Sequence, residues 1–436
     1  MVITQSDWRS VALPEIAEIV CGGTPSTSTQ EYWEPEIDWV TAKDISECAL
    51  AKIDKTERRI SRKGLEESSA RMLPTLATVL IARGATMGKC RMIARPMALN
   101  QTCYGIVAKE NTDSRFLFYI LHSLYGHFRS VAHGTVFDTV IGSGLRTLQV
   151  AIPSLDEQIA IGRFLGALDD KIELNQRMNE TLEAMARAIF KSWFVDFDPV
   201  RAKMEGRWKR GQSLPGLPAH LFDLFPNSFQ DSPLGKIPKG WDVKGLDEVA
   251  DFLNGLALQK FPPDGEDSLP VIKIAQLRAV NTKGADRAGS SLPPEYIVED
   301  GDVLFSWSGS LEVVVWCGGR GALNQHLFKV TSQAYPKWFY YHWIREHLPQ
   351  FQAIAAGKAT TMGHIQRHHL SEAMVVAPNA DLLSTADRLI GPLFQSVIAN
   401  EIQSRTLAAI RDTLLPKLMS GELRVKAAGA SITGPR

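Results

Sequence analysis

From Leu155 to Phe197 apolar residues recur three and four positions apart, through Ile161, Leu165, Leu168, Ile172, Met178, Leu182, Met185 and Ile189, with Asn175 filling the one polar place in the stripe. That spacing lines one face of a helix. The stretch has no glycine after Gly166 and no proline. At about 1.5 Å per residue it predicts a rod of roughly 60 Å, longer than a typical domain is wide, which calls for a partner. Asp381 to Val425 supplies one of the same design: an offset of 225 (393 − 168) pairs Leu168 with Leu393, Ile172 with Val397, Asn175 with Asn400, Leu182 with Leu407 and Ile189 with Leu414. A polar residue inside an apolar seam fixes register in coiled coils at some cost in stability, and Asn175 and Asn400 are the candidates for that role. Pro392 predicts a kink or a helix start in the second rod.

Outside the rods the pattern changes. Residues 9 to 153 alternate short β-type runs with turns, and the spacing of Phe118, Leu121, Leu124 and Phe128 predicts a helix from Phe116 to Val131. Gly22-Gly23-Thr24-Pro25-Ser26 is turn chemistry followed by hydroxyls, hence a surface loop. After a stretch rich in proline and glycine the plan repeats. Trp241 and Leu246 correspond to Trp8 and Leu13 at an offset of 233 (241 − 8), while Ala322-Leu323-Asn324-Gln325 repeats Ala98-Leu99-Asn100-Gln101 at 224 (322 − 98). The second half is therefore nine residues shorter somewhere before Val303. A duplicated unit of domain plus rod governs the fold.

The expected class is α+β: two similar domains separated by two long antiparallel, coiled-coil-like helices, with a pseudo-two-fold internal repeat. The boundaries are a first domain at 1–153, a central spacer helix at 154–200, an ordered or partly ordered Pro/Gly-rich connector at 201–240, a second domain at 241–379, a C-terminal spacer helix at 380–425 and a flexible tail at 426–436. In an antiparallel pair Asn175 and Asn400 approach each other at the two-fold axis.

Composition narrows the setting. A chain of 436 residues, 44% hydrophobic, can bury more than one core. Five cysteines without a CxxC pair suit free thiols in a reducing cytoplasm. The N-terminus lacks a basic region followed by an apolar run, and no apolar stretch approaches the 18 residues of a membrane span, so a soluble cytoplasmic protein is expected. Net charge is zero, from 48 basic against 48 acidic residues, whereas nucleic-acid binders are usually basic. The charge is uneven, with basic stretches at Arg201 to Arg210 and His364 to His369, and local patches decide phosphate binding.

Familiar catalytic motifs do not complete. Gly84 to Cys90, GATMGKC, has three residues where a phosphate loop needs four between its glycines, and Cys90 replaces the Ser or Thr after the lysine. Leu292 to Tyr296, LPPEY, lacks the leading Asn or Asp of the tetrapeptide that grips a target base. His364 and His368 have zincin spacing, but Ile365 stands where the general base would be, so no metal is expected. There is no GxSxG elbow. What remains is loops rich in hydroxyl, amide and basic groups, suited to base edges and phosphates. The candidates for DNA contact are Thr24, Ser26, Ser28, Tyr32, Lys43, Arg83, Thr86, Lys89 and Gln101, and in the second half Lys260, Lys273, Gln276, Arg278, Ser306, Ser308 and His326. Phe190, Trp193, Phe194 and Phe197 are more aromatic surface than a two-helix seam can cover, so they either bury in a domain core or are the candidates for docking partners at the rod ends.

The segments CGGTPSTSTQEYWEPEIDWVTAKDI (Cys21 to Ile45), LGALDDKIELNQRMNETLEAMARAIFKSWFVDFDPVRAKMEG (Leu165 to Gly206) and LLPKLMSGELRV (Leu414 to Val425) resemble the specificity subunit of type I restriction-modification systems. The resemblance implies two target-recognition domains reading a split, asymmetric site in double-stranded DNA. It also implies docking of two methyltransferase subunits and two restriction-translocase subunits. The chain itself is then no enzyme: S-adenosylmethionine, ATP and Mg, with the methylation of adenine, belong to the partners. The second domain's early loop, NGLALQKFPPDGE from Asn254, lacks GGTPS and lies in the shortened region, so its base preference is expected to differ. A self-contained methyltransferase or nuclease needs a cofactor loop that is not found here, and a scaffold unrelated to DNA is the third alternative.

Overall fold

A computed structural model describes residues 8–126, 128, 140–263, 267–357, 363–425 and 432–433. The predicted tail lies outside these residues except for 432–433. The chain forms two compact units, Met1–Leu174 with Thr406–Arg436, and Asn175–Arg405.

In the first unit the strands are β1 (Arg9–Ala12), β2 (Ala17–Cys21), β3 (Ile37–Val40), β4 (Lys52–Ile53), β5 (Arg59–Ile60), β6 (Arg71–Leu73), β7 (Thr78–Ile81), β8 (Cys90–Ile93), β9 (Met97–Leu99), β10 (Cys103–Ala108) and β11 (Gln149–Ile152). They make sheets of order β2-β10-β7-β8-β4 and β5-β3-β9-β6 and the pair β1-β11. Successive side chains of a strand point to opposite faces, and β7 is buried on both. Leu80 joins Phe116, Ile106 and Leu165 in one cluster, while Val79 and Ile81 join Val40, Ile45 and Leu73 in another. The helix expected from Phe116 begins earlier, as α1 (Ser114–Ser123), because the Asp113 side chain accepts the Phe116 N–H at 2.8 Å and caps it. Residues 127 and 129–131 of that expectation are outside the described set.

The central rod is α2 (Leu155–Phe190), continued by a π-turn at Lys191–Val195. Phe197, in the left-handed region at φ 57°, ends it before the short helix Asp198–Met204. The second unit holds β12 (Phe229–Ser232), β13 (Gly235–Pro238), β14 (Asp242–Gly245), β15 (Asp251–Asn254), β16 (Ser268–Ile272), β17 (Arg287–Gly289), β18 (Ile297–Val298), β19 (Val303–Ser306), β20 (Val313–Val315), β21 (Gly321–Leu323), β22 (Leu327–Thr331), α3 (Lys337–Ala356) and β23 (Met374–Ala377). Its sheets are β15-β22-β19-β20 and β17-β16-β21-β18, with the pair β14-β23. These are the strand orders of the first domain without β4. Even the parallel pair recurs, Val40 beside Leu99 in one domain and Ile272 beside Leu323 in the other.

The registers locate the missing residues. Val40 and Ile272 are equivalent at an offset of 232 (272 − 40), whereas Met72 and Ile297, each paired with the alanine of the repeated turn, are equivalent at 225 (297 − 72). The shortening thus falls chiefly between β3 and β6, where the first domain carries β4, and only one residue is lost between β2 and β3. The early loop of the second domain is therefore almost full length, contrary to expectation.

Within each unit the long helices run antiparallel. In the first, Arg411 of α4 (Ala380–Met419) donates to Asp169, and Leu415 and Leu418 share a core with Ile161 and Leu165. In the second, Asn175 Nδ2 donates to Asn400 O at 3.3 Å and lies within 2.9 Å of Gln403 Oε1 and 3.2 Å of Ser404 Oγ. Asn400 Nδ2 donates to Asn179 Oδ1 at 2.9 Å. The two asparagines read from the repeat do meet, and Asn179 and Ser404, also equivalent, complete the polar patch. Helix α4 passes through Pro392 without a break or restart. The proline removes one backbone hydrogen bond, and the packing of Leu393, Phe394 and Ile398 into the core holds the turn.

Two open readings are decided, the second of them against the docking candidates. The connector 201–240 is folded into the second unit: Trp208, Leu217, Leu221, Phe225 and Ile237 are buried in its main core, and β12 and β13 form a hairpin. Phe190, Trp193, Phe194 and Phe197 are 2%, 2%, 0% and 8% exposed and belong to that same core, so their side chains are not a docking surface. The reason is that α3 brings Trp338, Phe339, His342 and Trp343 against them.

Candidate nucleic-acid interface

In each domain three loops are drawn together at the strand ends. In the first they are the loop after β2, the β7–β8 hairpin loop and the β9–β10 turn. Gly22 N donates to Cys103 O at 3.3 Å, Gly23 N to Leu99 O at 3.0 Å, and Ala82 N to Thr102 O at 2.8 Å. The second domain repeats this with Gly255 N to Leu327 O at 3.0 Å, Leu256 N to Leu323 O at 3.0 Å and Trp307 N to His326 O at 3.4 Å. The approach is so close that a Cβ on Gly22 would lie 1.9 Å from Asn100 O, and one on Gly255 2.2 Å from Asn324 O. The second loop lacks GGTPS but keeps the one glycine the geometry requires.

The predicted residues of the first domain divide by what holds them. Ser26 and Ser28 hydroxyls bond each other at 2.7 Å, and Tyr32 donates to Glu67 at 2.7 Å. Thr86 Oγ1 is 2.9 Å from Ser46 Oγ, and Lys89 donates to Ser46 O, so both are gathered on the end of the short helix Ala42–Glu47. Burial holds the Lys89 ammonium below its usual pKa, with Arg91 adding to the effect. Lys43 pairs with Glu57 at 2.8 Å, which raises its pKa. Arg83 and Gln101 are exposed on the loop cluster. The Thr24 hydroxyl is buried and has no hydrogen-bond partner among the described residues.

In the second domain Arg278, at the end of the equivalent helix Ile274–Ala279, pairs with Glu312 of the hairpin loop at 3.2 Å. Lys273 pairs with Asp286, and Gln276 Oε1 accepts the Lys273 N–H at 3.3 Å, a helix cap. Lys260 is exposed. Ser308 is buried, with its hydroxyl 3.0 Å from His326 Nδ1. Ser306 is a correction: it is fully buried, and its hydroxyl donates to Ser310 O at 2.7 Å, closing its own hairpin instead of facing outward.

Exposed ion pairs such as Lys43–Glu57 and Arg278–Glu312 contribute little in water. Each cation can therefore exchange its carboxylate for a phosphate, which reconciles zero net charge with an anionic ligand.

Several participants went unread in the sequence. Trp33 and Trp39 pack edge to face at 5.2 Å and donate to Ser26 O and Gly23 O, both at 3.0 Å, and Arg58 lies 3.9 Å over Trp33. They hold the early loop in shape. In the second domain Trp307 donates to Asn254 Oδ1 at 2.9 Å and to Gln325 O at 3.1 Å, with His326 and His364 beside its ring. Gln325 could have been named from Gln101 by the repeat alone.

His368, His369 and Glu372 bring ligand atoms within 4.8 Å of one another. His369 Nδ1, however, accepts the Gln366 N–H at 2.9 Å, so the ring proton sits on Nε2 and no lone pair is left for an ion in this geometry. Among the described residues no helix is long and apolar enough to cross a membrane.

Residues 5–184 match the family model of the type I restriction modification DNA specificity domain. Over 431 residues, 96% of this chain and 94% of the relative, the chain is 28% identical to the type I restriction enzyme MjaIX specificity subunit of Methanocaldococcus jannaschii. It is 24% identical over 352 residues, 71% of this chain and 76% of the relative, to the HindI specificity subunit of Haemophilus influenzae. Among solved structures, the S subunit of a type I system from M. genitalium shares the fold, with a TM-score of 0.54 at 13% identity over 96% of this chain and 98% of that one.

Proposed function

The chain belongs to the specificity-subunit family of type I restriction-modification systems, and we propose that it reads a bipartite, asymmetric site in double-stranded DNA with one domain per half-site. The observation that carries this reading is the repeat of one loop cluster, bond for bond, in two domains whose loop side chains differ. A shared scaffold with different side chains is what two readers of different sequences need, because phosphate contacts position while base contacts specify.

The rest of the reaction is assigned to partners. Two methyltransferase subunits supply S-adenosylmethionine and methylate adenine, and two restriction subunits use ATP and Mg. This chain needs no cofactor, is not itself an enzyme and works in the cytoplasm. It chooses where the partners act.

The test is a domain exchange. Replacing residues 1 to 153 with the equivalent domain of a relative is expected to change one half of the methylated site and leave the other intact. An exchange that alters both halves contradicts independent reading.

A further inference from the structure

The two domains differ around a feature they share. The turns at Asn100-Gln101 and Asn324-Gln325 have the same bonding. The asparagine N–H donates to the neighbouring strand, Asn100 to Val40 O at 3.0 Å and Asn324 to Ile272 O at 3.3 Å. The asparagine carbonyl accepts Cys103 N at 3.1 Å in one turn and Leu327 N at 3.0 Å in the other. The side-chain Oδ1 accepts the N–H two residues on, Thr102 at 3.1 Å and His326 at 3.3 Å. Each turn thus presents its glutamine at the same place on its domain. Neither glutamine side chain takes part in these bonds: Gln101 is exposed, and Gln325 Nε2 has His326 Nε2 at 3.4 Å.

The neighbours are not shared. Thr102 corresponds to His326 at an offset of 224 (326 − 102), and the shared bonds of Ala82 N to Thr102 O and Trp307 N to His326 O make Ala82 the counterpart of Trp307. The second domain surrounds its glutamine with an indole and imidazoles, the Trp307 ring centroid lying 5.8 Å from His326 and 6.3 Å from His364. The first has only a methyl group and a hydroxyl at those places, Ala82 and Thr102, with Thr102 Oγ1 donating to Asn100 Oδ1 at 2.7 Å.

A group common to two readers of different sequences suits what is common to their targets, the sugar-phosphate backbone, and the groups that differ carry discrimination. Resting on the DNA-reading function above, we infer that Gln101 and Gln325 are equivalent backbone anchors, each donating its amide N–H to a phosphate, and that Trp307 with His326, where the first domain has Ala82 and Thr102, select the bases beside the second anchor.

The test uses the full chain with its methyltransferase partner, at one salt concentration, on the methylated sequence and on duplexes carrying each single base-pair change. Gln101→Ala and Gln325→Ala are each expected to weaken binding about tenfold, as loss of one hydrogen bond to a charged group implies, by the same factor on every duplex. Trp307→Ala with His326→Thr, the residues of the first domain, is expected to change the ranking of bases in the second half-site only. His326→Thr alone does so to a smaller extent, and stands alone if the double exchange fails to fold. A glutamine variant that binds as before, or that relaxes selectivity at one base pair, overturns the anchor assignment. Unchanged rankings in folded exchange variants overturn the selector assignment. If the unaltered complex does not distinguish its site from a scrambled duplex, the DNA-reading function itself fails, whatever the glutamines do.

Discussion

Replacing Phe194 with alanine separates a core role from a docking role. The ring is fully buried and lies 5.6 Å from Phe190 and from Phe339, 5.8 Å from Trp338 and 6.0 Å from Trp241, centroid to centroid. Truncating such a phenylalanine costs about 3–5 kcal/mol, because the surrounding rings collapse only partly into the space left. That is a large part of the roughly 5–15 kcal/mol that holds a domain folded. The second unit, Asn175–Arg405, has 231 residues (405 − 175 + 1), a size at which each kcal/mol shifts the melting temperature by about 2–4 °C. The expected drop is therefore about 6–20 °C. Calorimetry of the full chain measures it, and hydrogen exchange along α3 identifies which core loosens. A Phe194→Ala protein that melts unchanged but no longer associates with its partners would refute the reasoning and return the ring to a docking surface.

The buried histidines make stability depend on acidity. Burial, aided by Arg345 and Arg187, lowers the pKa of His342 to about 3, and burial, aided by Arg91 and Arg411, lowers that of His122 to about 4. As pH falls below about 6.5 the unfolded chain takes up these protons before the folded one, so each histidine removes up to about 1.4 kcal/mol per pH unit until its folded pKa is reached. Denaturation midpoints measured from pH 7 to pH 4 should fall, and His342→Gln should make the slope shallower; a flat profile contradicts the burial argument. At the helix seam, Asn400→Leu leaves Asn179 Oδ1 without its donor and should cost about 1–3 kcal/mol in urea denaturation. The further change Asn179→Leu should cost less than the sum of the single changes, and strict additivity would show that the pair is not coupled.

Much of this architecture is legible in the residues, because duplication writes the same apolar pattern twice. The two rods and their matched asparagines, Asn175 and Asn400, follow from a constant offset of 225, and the likeness of the two domains from ordered matches at 233 and 224. Three things were hidden for physical reasons. The connector reads as a linker because its prolines and glycines break any period, while its anchors Trp208, Leu221 and Phe225 are spaced irregularly and find the core only in three dimensions. Phe190 to Phe197 look like excess surface because the residues that cover them, Trp338 to Trp343, come from α3, about 150 positions away. A serine in a loop looks alike whether it faces out or, like Ser306, closes its own hairpin, since the difference is one backbone acceptor away. The shortened segment was detectable as a change of offset, but its place at β4 needed the strand registers.

The central claim is that the two domains each read one part of a divided DNA sequence. Mapping methylated adenines across the genome of cells with and without this chain tests it most directly. The account predicts one asymmetric motif, two short specific parts around an unread spacer, methylated when the chain is present and unmodified when it is removed. A methylation pattern that is unchanged by its removal, or a lost motif that is continuous and read by one domain alone, would contradict it.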